Sequence, residues 1–402
     1  MNRRTLLQAP FLGALFAQSG AAAPPATGAD IGTLYPDIMR IAADAGYPLS
    51  YLEGDYPDLA SYRREARRKV VDLFHYRPAP VQPAAEVVDR WEGEDYLQER
   101  VMLNTAPWFR IPAYVLIPKG FRGPRPGIVD LHSHGGMFVF GKEKVMPMPG
   151  GDHPAIVEYR QHNYGGRSTS LELCRRGYVV VSIDAFYFGE RRTMYDDLRG
   201  RVPARREDYS LDDVQRLNRR AGQGESTLVK SLFWAGTTWQ GVVHWDDIRS
   251  VDYLCSRPEV DARRIGCVGI SMGGDRTDYL AGLDDRIGCA VSVGWMSTLR
   301  EMVKAHVDTH SFVHFLPGMA HYLDLPDLIA CRAPKPLMVQ YCERDALYPL
   351  DGMKRSRKKL EAIYRKAGAP KMFQGRFYDQ EHTFSRGMQE EAFAWLDRWL
   401  KP

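Results

Sequence analysis

Gly269-Ile270-Ser271-Met272-Gly273-Gly274 sets a serine between glycines where the chain turns from an apolar run into a helical pattern. Arg264 to Val268 predicts a buried strand arriving at Gly269, and Asp275 to Leu283 predicts a helix. A G-x-S-x-G at such a corner is a nucleophile elbow. The sharp turn strains the serine backbone and lifts its hydroxyl above the sheet, beside the positive end of a helix. Bulky flanking side chains would collide there, and Gly269 and Gly273 avoid the collision. A serine so placed attacks carbonyl carbon once a base removes its proton. The pattern recurs by chance in many proteins, so its partners must decide.

Two such partners follow in the chain. Pro336 to Cys342 predicts a buried strand running out into Glu343-Arg344-Asp345. A carboxylate at such a strand end can accept the Nδ1 proton of a histidine, fixing its tautomer and stabilising the imidazolium that forms. Asp345, just before the Pro349 turn, is the first choice, with Glu343 in reserve. Met372 to Tyr378 predicts a last strand, and His382 stands on the loop between it and an amphipathic final helix marked by Phe393, Leu396 and Leu400. Ser271, Asp345 and His382 therefore come in the order nucleophile, acid, base, each after a predicted strand. Chymotrypsin-like and subtilisin-like proteases use other orders.

Other residues invite other chemistry. His132-Ser133-His134-Gly135-Gly136 follows the strongly buried run Gly127 to Leu131. Paired glycines allow that loop to aim a backbone N–H at a reaction centre. H-x-H can also chelate a metal, but no carboxylate or third histidine follows at ligand spacing, so structural or oxyanion-loop histidines are favoured. Met302 to Tyr322 carries His306, His310, His314 and His321. The first three are four residues apart and would share one helix face, as a pocket wall in preference to a metal site. The six cysteines lie mostly in apolar stretches without C-x-x-C spacing, which favours buried thiols over zinc, and a Cys331–Cys342 disulfide stays open.

The elements that must position these groups alternate strand and helix. Asp30 to Pro78 has helical spacing, clearest at Leu59, Tyr62, Ala66, Val70 and Leu73. Ala85 to Gly93, Tyr96 to Asn104 and Phe109 to Pro118 alternate like consecutive antiparallel strands. A helix over Ser170 to Arg176 leads into Tyr178 to Asp184, which predicts a fully buried strand of parallel type, a second helix spans Trp245 to Ser256, and Ile287 to Trp295 is a further strand. That alternation is the mark of a doubly wound α/β fold: a mostly parallel sheet with helices on both faces. Between Phe186 and Gly241 the pattern fades into a cap-like segment holding Arg191-Arg192, Arg199, Arg201, Arg205-Arg206 and Arg219-Arg220. Such insertions usually roof a site, where an arginine could hold a carboxylate, although solvated surface charge is the commoner role.

With 402 residues, 44% hydrophobic and 26% charged, the chain can bury a large core. Its 54 basic and 50 acidic residues are too balanced to argue for nucleic acid, and Arg63-Arg64 and Arg67-Arg68-Lys69 have the pattern of solvated helix faces. Arg3-Arg4, the apolar Pro10 to Ala17 and Ala21-Ala22-Ala23 suggest a twin-arginine export signal, hence a periplasmic or extracellular protein. The apolar run is far shorter than the roughly 18 to 20 residues that span a bilayer, which argues against stable membrane insertion. The expected division is residues 1–27 as signal and linker, 28–95 as a helical extension with the first edge strand, and 96–402 as the main domain with its insertion at about 186–241. The residues name no oligomeric partner.

From about Tyr96 onward the sequence resembles bacterial α/β-hydrolases of the dienelactone hydrolase-like and acetyl xylan esterase-like group. The resemblance rests on Asp130 to Gly136, Arg176 to Val180, Asp184 to Arg191, Arg264 to Gly274 and Arg344-Asp345. It implies an α/β-hydrolase fold, a serine esterase activity without cofactor or metal, and oxyanion donors at the N–H groups of His134 and Met272. The arginine-rich insertion departs from the group. Ser271 stands where dienelactone hydrolases proper carry cysteine, which counts against dienelactone as substrate. The implied substrate is a small-molecule or polysaccharide-linked ester, acetyl or glucuronoyl. A serine peptidase of prolyl oligopeptidase type shares the triad order but commonly carries a large N-terminal filter domain, for which the residues before Tyr96 are too few. A non-catalytic binding protein on the same scaffold is the third reading.

Overall fold

The computed structural model describes residues 26–401, so the segment read as an export signal lies outside it. Among the described residues nine strands form one sheet: β1 Glu86–Glu92, β2 Tyr96–Ala106, β3 Phe109–Pro118, β4 Arg125–Leu131, β5 Val179–Ile183, β6 Val260–Ile270, β7 Ile287–Val293, β8 Leu337–Cys342 and β9 Phe373–Tyr378. Their order is β1-β2-β3-β5-β4-β6-β7-β8-β9. The first three form an antiparallel meander and β3 meets β5 antiparallel, while every pair from β5 to β9 is parallel. The helices are α1 Tyr35–Ala45, α2 Leu59–Leu73, α3 Pro154–Asn163, α4 Thr169–Arg175, α5 Leu211–Trp234, α6 Trp239–Ser256, α7 Met272–Leu283, α8 Leu299–Lys304, α9 Leu325–Ala330, α10 Leu350–Lys366 and α11 Arg386–Leu400. The doubly wound α/β architecture expected from the alternation is the one found. No helix among the described residues is long and apolar enough to cross a membrane.

Parallel strands buried on both faces need apolar residues at every position, and alternate side chains then serve two cores. Val129, Val181, Cys267, Ala290 and Val339 pack with α2, α6, α7 and α10, whereas Ile128, Val180, Val268, Val291 and Met338 pack with α3, α4 and α11. The register matters most for function. Leu131 pairs with Gly269, Ile270 with Val293, Val293 with Gln340, and Cys342 with Tyr378. The strands therefore end at one edge, and the loops after them converge above it, the usual place for a site on an open α/β sheet.

Three expectations need correction. The helix expected to carry His306, His310 and His314 on one face before Pro317-Gly318 is absent: α8 stops at Lys304, His306 takes φ 82°, and only short 3-10 turns at Phe312–His314 and Met319–His321 follow. Pro317 and Gly318 interrupt any longer helix, and the segment instead lies against the pocket described below. The insertion is not featureless, because α5 fills 24 residues of it, opened by a capping box between Ser210 and Asp213. Its stripe, Val214, Leu217, Ala221 and Val229, is interrupted by Gly224, where a Cβ would fall 1.8 Å from the Tyr195 hydroxyl. The basic face of α2 is not merely solvated. Arg67 donates through Nε to the Gly282 carbonyl at 2.7 Å and, with Arg63, grips Asp285, tying the N-terminal helices to the sheet domain. A smaller difference is that α6 begins at Trp239, six residues before the expected start.

Candidate active site

Ser271 occupies the turn between β6 and α7 with φ 59° and ψ −123°, a conformation costing a non-glycine residue of order 1–3 kcal/mol. Two bonds hold it there: its N–H donates to the Val293 carbonyl at 2.9 Å, and its own carbonyl accepts from Asp275 N–H at 2.9 Å. The flanking glycines are obligatory. A Cβ at Gly269 would come within 2.4 Å of the Gly273 backbone, and one at Gly273 within 2.0 Å of the Leu131 carbonyl oxygen. Among the described residues Ser271 Oγ makes no hydrogen bond, and it opens into a cavity of about 340 Å³ whose walls include His134, Tyr159, His310, Tyr348 and His382.

Asp345 and His382 leave the ends of the paired strands β8 and β9. Glu343 N–H donates to the Tyr378 carbonyl at 2.8 Å and Arg344 N–H to that of Gln380 at 3.0 Å, so the pairing continues into both loops. His382 Nδ1–H consequently donates to Asp345 Oδ2 at 2.6 Å, while Asp345 Oδ1 accepts from Leu347 N–H at 2.9 Å. The carboxylate is buried and saturated on both oxygens, whereas Glu343, the reserve choice, is exposed. His382 Nε2 has no protein partner among the described residues. The ring lies beside Gly294, where a Cβ would make ordinary van der Waals contact 3.4 Å from His382 Cε1, so the glycine answers to its φ of 52° and not to room for the imidazole.

The loop after β4 is held at nearly every polar atom. His132 donates from Nδ1 to the Ser133 carbonyl at 3.0 Å and accepts at Nε2 from Ala185 N–H at 3.1 Å. Ser133 Oγ meets the hydroxyls of Tyr159 and Tyr164 at 2.7 and 2.8 Å. His134 accepts at Nδ1 from Gly136 N–H at 3.0 Å, which leaves Nε2–H to donate to Glu225 Oε1 at 2.8 Å. Burial holds both rings below their ordinary pKa, in His134 despite the opposing pull of Glu225. Two neutral imidazoles with both nitrogens assigned leave no lone pair for a metal. Lys144, fully buried, donates from Nζ to the carbonyls of Ser133 and His134 at 2.6 and 2.9 Å. Neither the His134 N–H nor the Met272 N–H at the start of α7 finds a protein acceptor among the described residues.

The expected histidine wall exists without its helix. His314 donates from Nδ1 to Asp275 Oδ2 at 3.1 Å and stacks on Trp295, with ring centroids 4.6 Å apart. His310 donates from Nδ1 to the His306 carbonyl, lies edge-on to Tyr348, and is pushed down to about 4 by burial and by His314. His306 and His321 lie outside the cavity lining.

None of the arginines of the insertion lines the cavity. Arg191 pairs with Asp246, Arg206 with Glu143, and Arg216 with Asp213. Glu225 is the residue of this segment that reaches the site, through His134. Glu143, Asp184 and Glu190 converge as three metal ligands would, but Lys142 Nζ stands among them at 3.0, 2.8 and 2.7 Å. An ammonium occupies the cation's place. Burial would lower the Lys142 pKa, yet the three carboxylates outweigh it and raise it. All six cysteines are free thiols, so the open Cys331–Cys342 bridge is not formed.

The structure thus brings Ser271, His382 and His134 to one cavity, with Asp345 behind the imidazole and Met272 next to the serine. Sequence reasoning missed Lys144, Glu225, Tyr159 and Tyr348. A charged triplet Lys142-Glu143-Lys144 has surface composition, and its one signal of burial is the apolar flank on each side, Met137 to Phe140 and Val145-Met146.

Residues 53–398 match the sequence model of the Abhydrolase family. The Bacillus subtilis (strain 168) protein YtaP, named as a hydrolase, is 28% identical over 342 residues, covering 85% of this chain and 99% of its own. Among solved structures, one described as an acetyl xylan esterase from Bacteroides fragilis superposes with a TM-score of 0.65 at 16% identity, over 91% of each chain. A glucuronoyl esterase from Solibacter usitatus superposes with a TM-score of 0.57 at 15% identity, over 87% of this chain and 96% of that one. At these identities the structural likeness is one of fold. With most of its length matched, this chain belongs to the Abhydrolase family and has the α/β-hydrolase fold.

Proposed function

We propose that the protein is a serine-dependent carboxylic ester hydrolase acting through an acyl-enzyme on Ser271. The observation that carries this reading is the 2.6 Å bond from His382 Nδ1 to the buried Asp345, which leaves Nε2 free in the cavity that exposes the strained serine. His382 Nε2 takes the Ser271 proton as Oγ bonds to the ester carbonyl carbon. Asp345 holds the ring and stabilises the imidazolium. The carbonyl π electrons move onto oxygen, which the N–H groups of His134 and Met272 receive, and each such donor is worth about 3 kcal/mol in the transition state. The imidazolium then protonates the departing alkoxide, and the acyl-enzyme is cleaved by water through the same histidine. This chemistry requires no cofactor.

The substrate class proposed is an ester carried on a carbohydrate, acetyl or glucuronoyl. The names of the structural neighbours support it, and so does a cavity without lysine or arginine in its lining, suited to an ester neutral at the scissile group. Export through the Arg3-Arg4 signal would bring the enzyme to such substrates. Turnover of acetyl, feruloyl and glucuronoyl esters, with Ser271→Ala as blank, tests the proposal. The wild type is expected to be labelled at Ser271 by a fluorophosphonate and to prefer p-nitrophenyl acetate over aminoacyl p-nitroanilides. Full activity in Ser271→Ala removes the nucleophile assignment, and preference for the anilide makes the protein a peptidase.

A further inference from the structure

Lys144 has no part in the mechanism above, yet it sits directly under the loop that mechanism needs. Its side chain is wholly buried, with no carboxylate in ion-pair reach among the described residues. The rings of Phe188 and Tyr159 cover the ammonium at 4.8 and 5.4 Å. Burying an ammonium without a direct counter-ion costs several kcal/mol, so its position demands a physical account. Its bonds supply one. Nζ donates to two consecutive carbonyls, Ser133 at 2.6 Å and His134 at 2.9 Å. A trans peptide is planar, with its C=O and N–H on opposite sides. Drawing both carbonyls toward Lys144 therefore turns the N–H groups of the same two peptides, those of His134 and Gly135, away from it. Neither N–H has a protein acceptor among the described residues, and both residues line the cavity with Ser271. A cation on a carbonyl oxygen also polarises the peptide, making its N–H a stronger donor.

We propose that Lys144 is a positioning residue: its ammonium orients and polarises the Ser133–His134 and His134–Gly135 peptides so that their N–H groups receive the oxyanion. The inference rests on the Ser271 acyl-enzyme reading. It adds a fixed charge to the oxyanion site, transmitted through the backbone, and assigns Gly135 N–H as a further donor. The charge can be lost. Burial pushes the Lys144 ammonium well below its ordinary pKa, with Asp184 and Glu143 opposing and Arg276 reinforcing. Those two carboxylates are already engaged by Lys142 and, for Glu143, Arg206. The remaining groups facing it are His132 and His134 on the loop, the latter also held below its ordinary pKa by burial, and Tyr159 and Arg160 on α3. His132 is neutral through burial, and Arg160 donates to the Lys144 carbonyl at 3.1 Å.

The test is kcat and KM for p-nitrophenyl acetate from about pH 6 to about pH 10.5, the ordinary range of imidazole to lysine titration, in wild type, Lys144→Met and Lys144→Arg. Ser271→Ala is the blank, and thermal unfolding checks the fold. Lys144→Met is expected to lose about 10²- to 10³-fold in kcat with little change in KM, and to bind a boronic acid transition-state analogue correspondingly less tightly. Wild-type kcat should fall on the alkaline side below the ordinary lysine range. That limb should be absent in Lys144→Met and shifted upward in Lys144→Arg, which should recover part of the rate. A folded Lys144→Met with wild-type kcat overturns the inference, as does, should that variant not fold, a folded Lys144→Arg whose pH profile coincides with that of the wild type. Activity surviving in Ser271→Ala sinks the acyl-enzyme reading itself, whereas a Ser271-dependent enzyme indifferent to Lys144 sinks only this inference.

Discussion

His382 and His134 both line the cavity around Ser271, and each has a carboxylate on one ring nitrogen at 2.6 and 2.8 Å respectively. They differ at the other nitrogen. His134 spends Nδ1 on the Gly136 amide, so its ring is a fixed strut between the loop after β4 and α5. His382 keeps Nε2 unengaged, beside a glycine, on a loop held by paired strands. Proximity to a carboxylate therefore does not identify a general base. An unassigned lone pair on an anchored ring is needed as well, because a base must gain a proton and return it without its surroundings rearranging, and His314, with Asp275 on Nδ1 and no partner on Nε2 among the described residues, shares that feature with His382. In the proposed mechanism Glu225 serves to place a backbone, and Asp345 to hold a ring that changes charge.

That contrast can be broken in graded ways. Removing the imidazole in His382→Ala, or its orienting acceptor in Asp345→Asn, is expected to lower kcat/KM by about 10⁴-fold or more, measured on p-nitrophenyl acetate. Glu225→Gln keeps a hydrogen-bond acceptor for His134 and should hold kcat/KM within about tenfold while lowering stability by about 1 kcal/mol in urea titration. A loss rivalling that of Asp345→Asn would make the two pairs functionally alike. His314 sharpens the comparison further, since it too has a carboxylate, Asp275, on Nδ1. His314→Gln should raise KM a few-fold, roughly the worth of one hydrogen bond, with kcat nearly unchanged. A collapse of kcat equal to that of His382→Ala would move the base to His314.

The smallest effect is on stability. His310 titrates near 4 in the fold, against 6.5 for a free imidazole. The unfolded chain thus binds the proton first, and acidification from about 6.5 to about 4 favours unfolding by at most roughly 3 kcal/mol. His310→Gln should flatten that part of the stability profile in chemical denaturation, with little effect above about pH 7.

Much of this was legible in the residues. The α2 stripe of Tyr62, Ala66 and Val70 is buried as its spacing demands, and the strand ends fall within a few residues of their expected places. The histidine segment after Leu299 was not legible, because four-residue spacing describes a helix face only if a helix forms. There the bonds of His306, His310 and His314 to Ala346, to the local backbone and to Asp275 compete successfully with helical ones. In the arginine-rich insertion solvated charge is the favoured reading, and it holds for Arg199 and Arg205, which are exposed, whereas Arg191 and Arg206 are buried against Asp246 and Glu143.

Local chemistry alone thus determined the elbow, the order of serine, acid and histidine, and the alternation of buried strands with helices. Those features depend on steric limits and periodicities acting over a few residues. Which histidine nitrogens are engaged, and why a lysine lies buried beneath the loop after β4, depend on contacts between residues far apart in the chain. Lys144 has the same side chain on the page whether it ends in water or against two carbonyls. Only the packing of α3, the end of β5 and the loop after β4 removes the water and leaves those carbonyls as its partners.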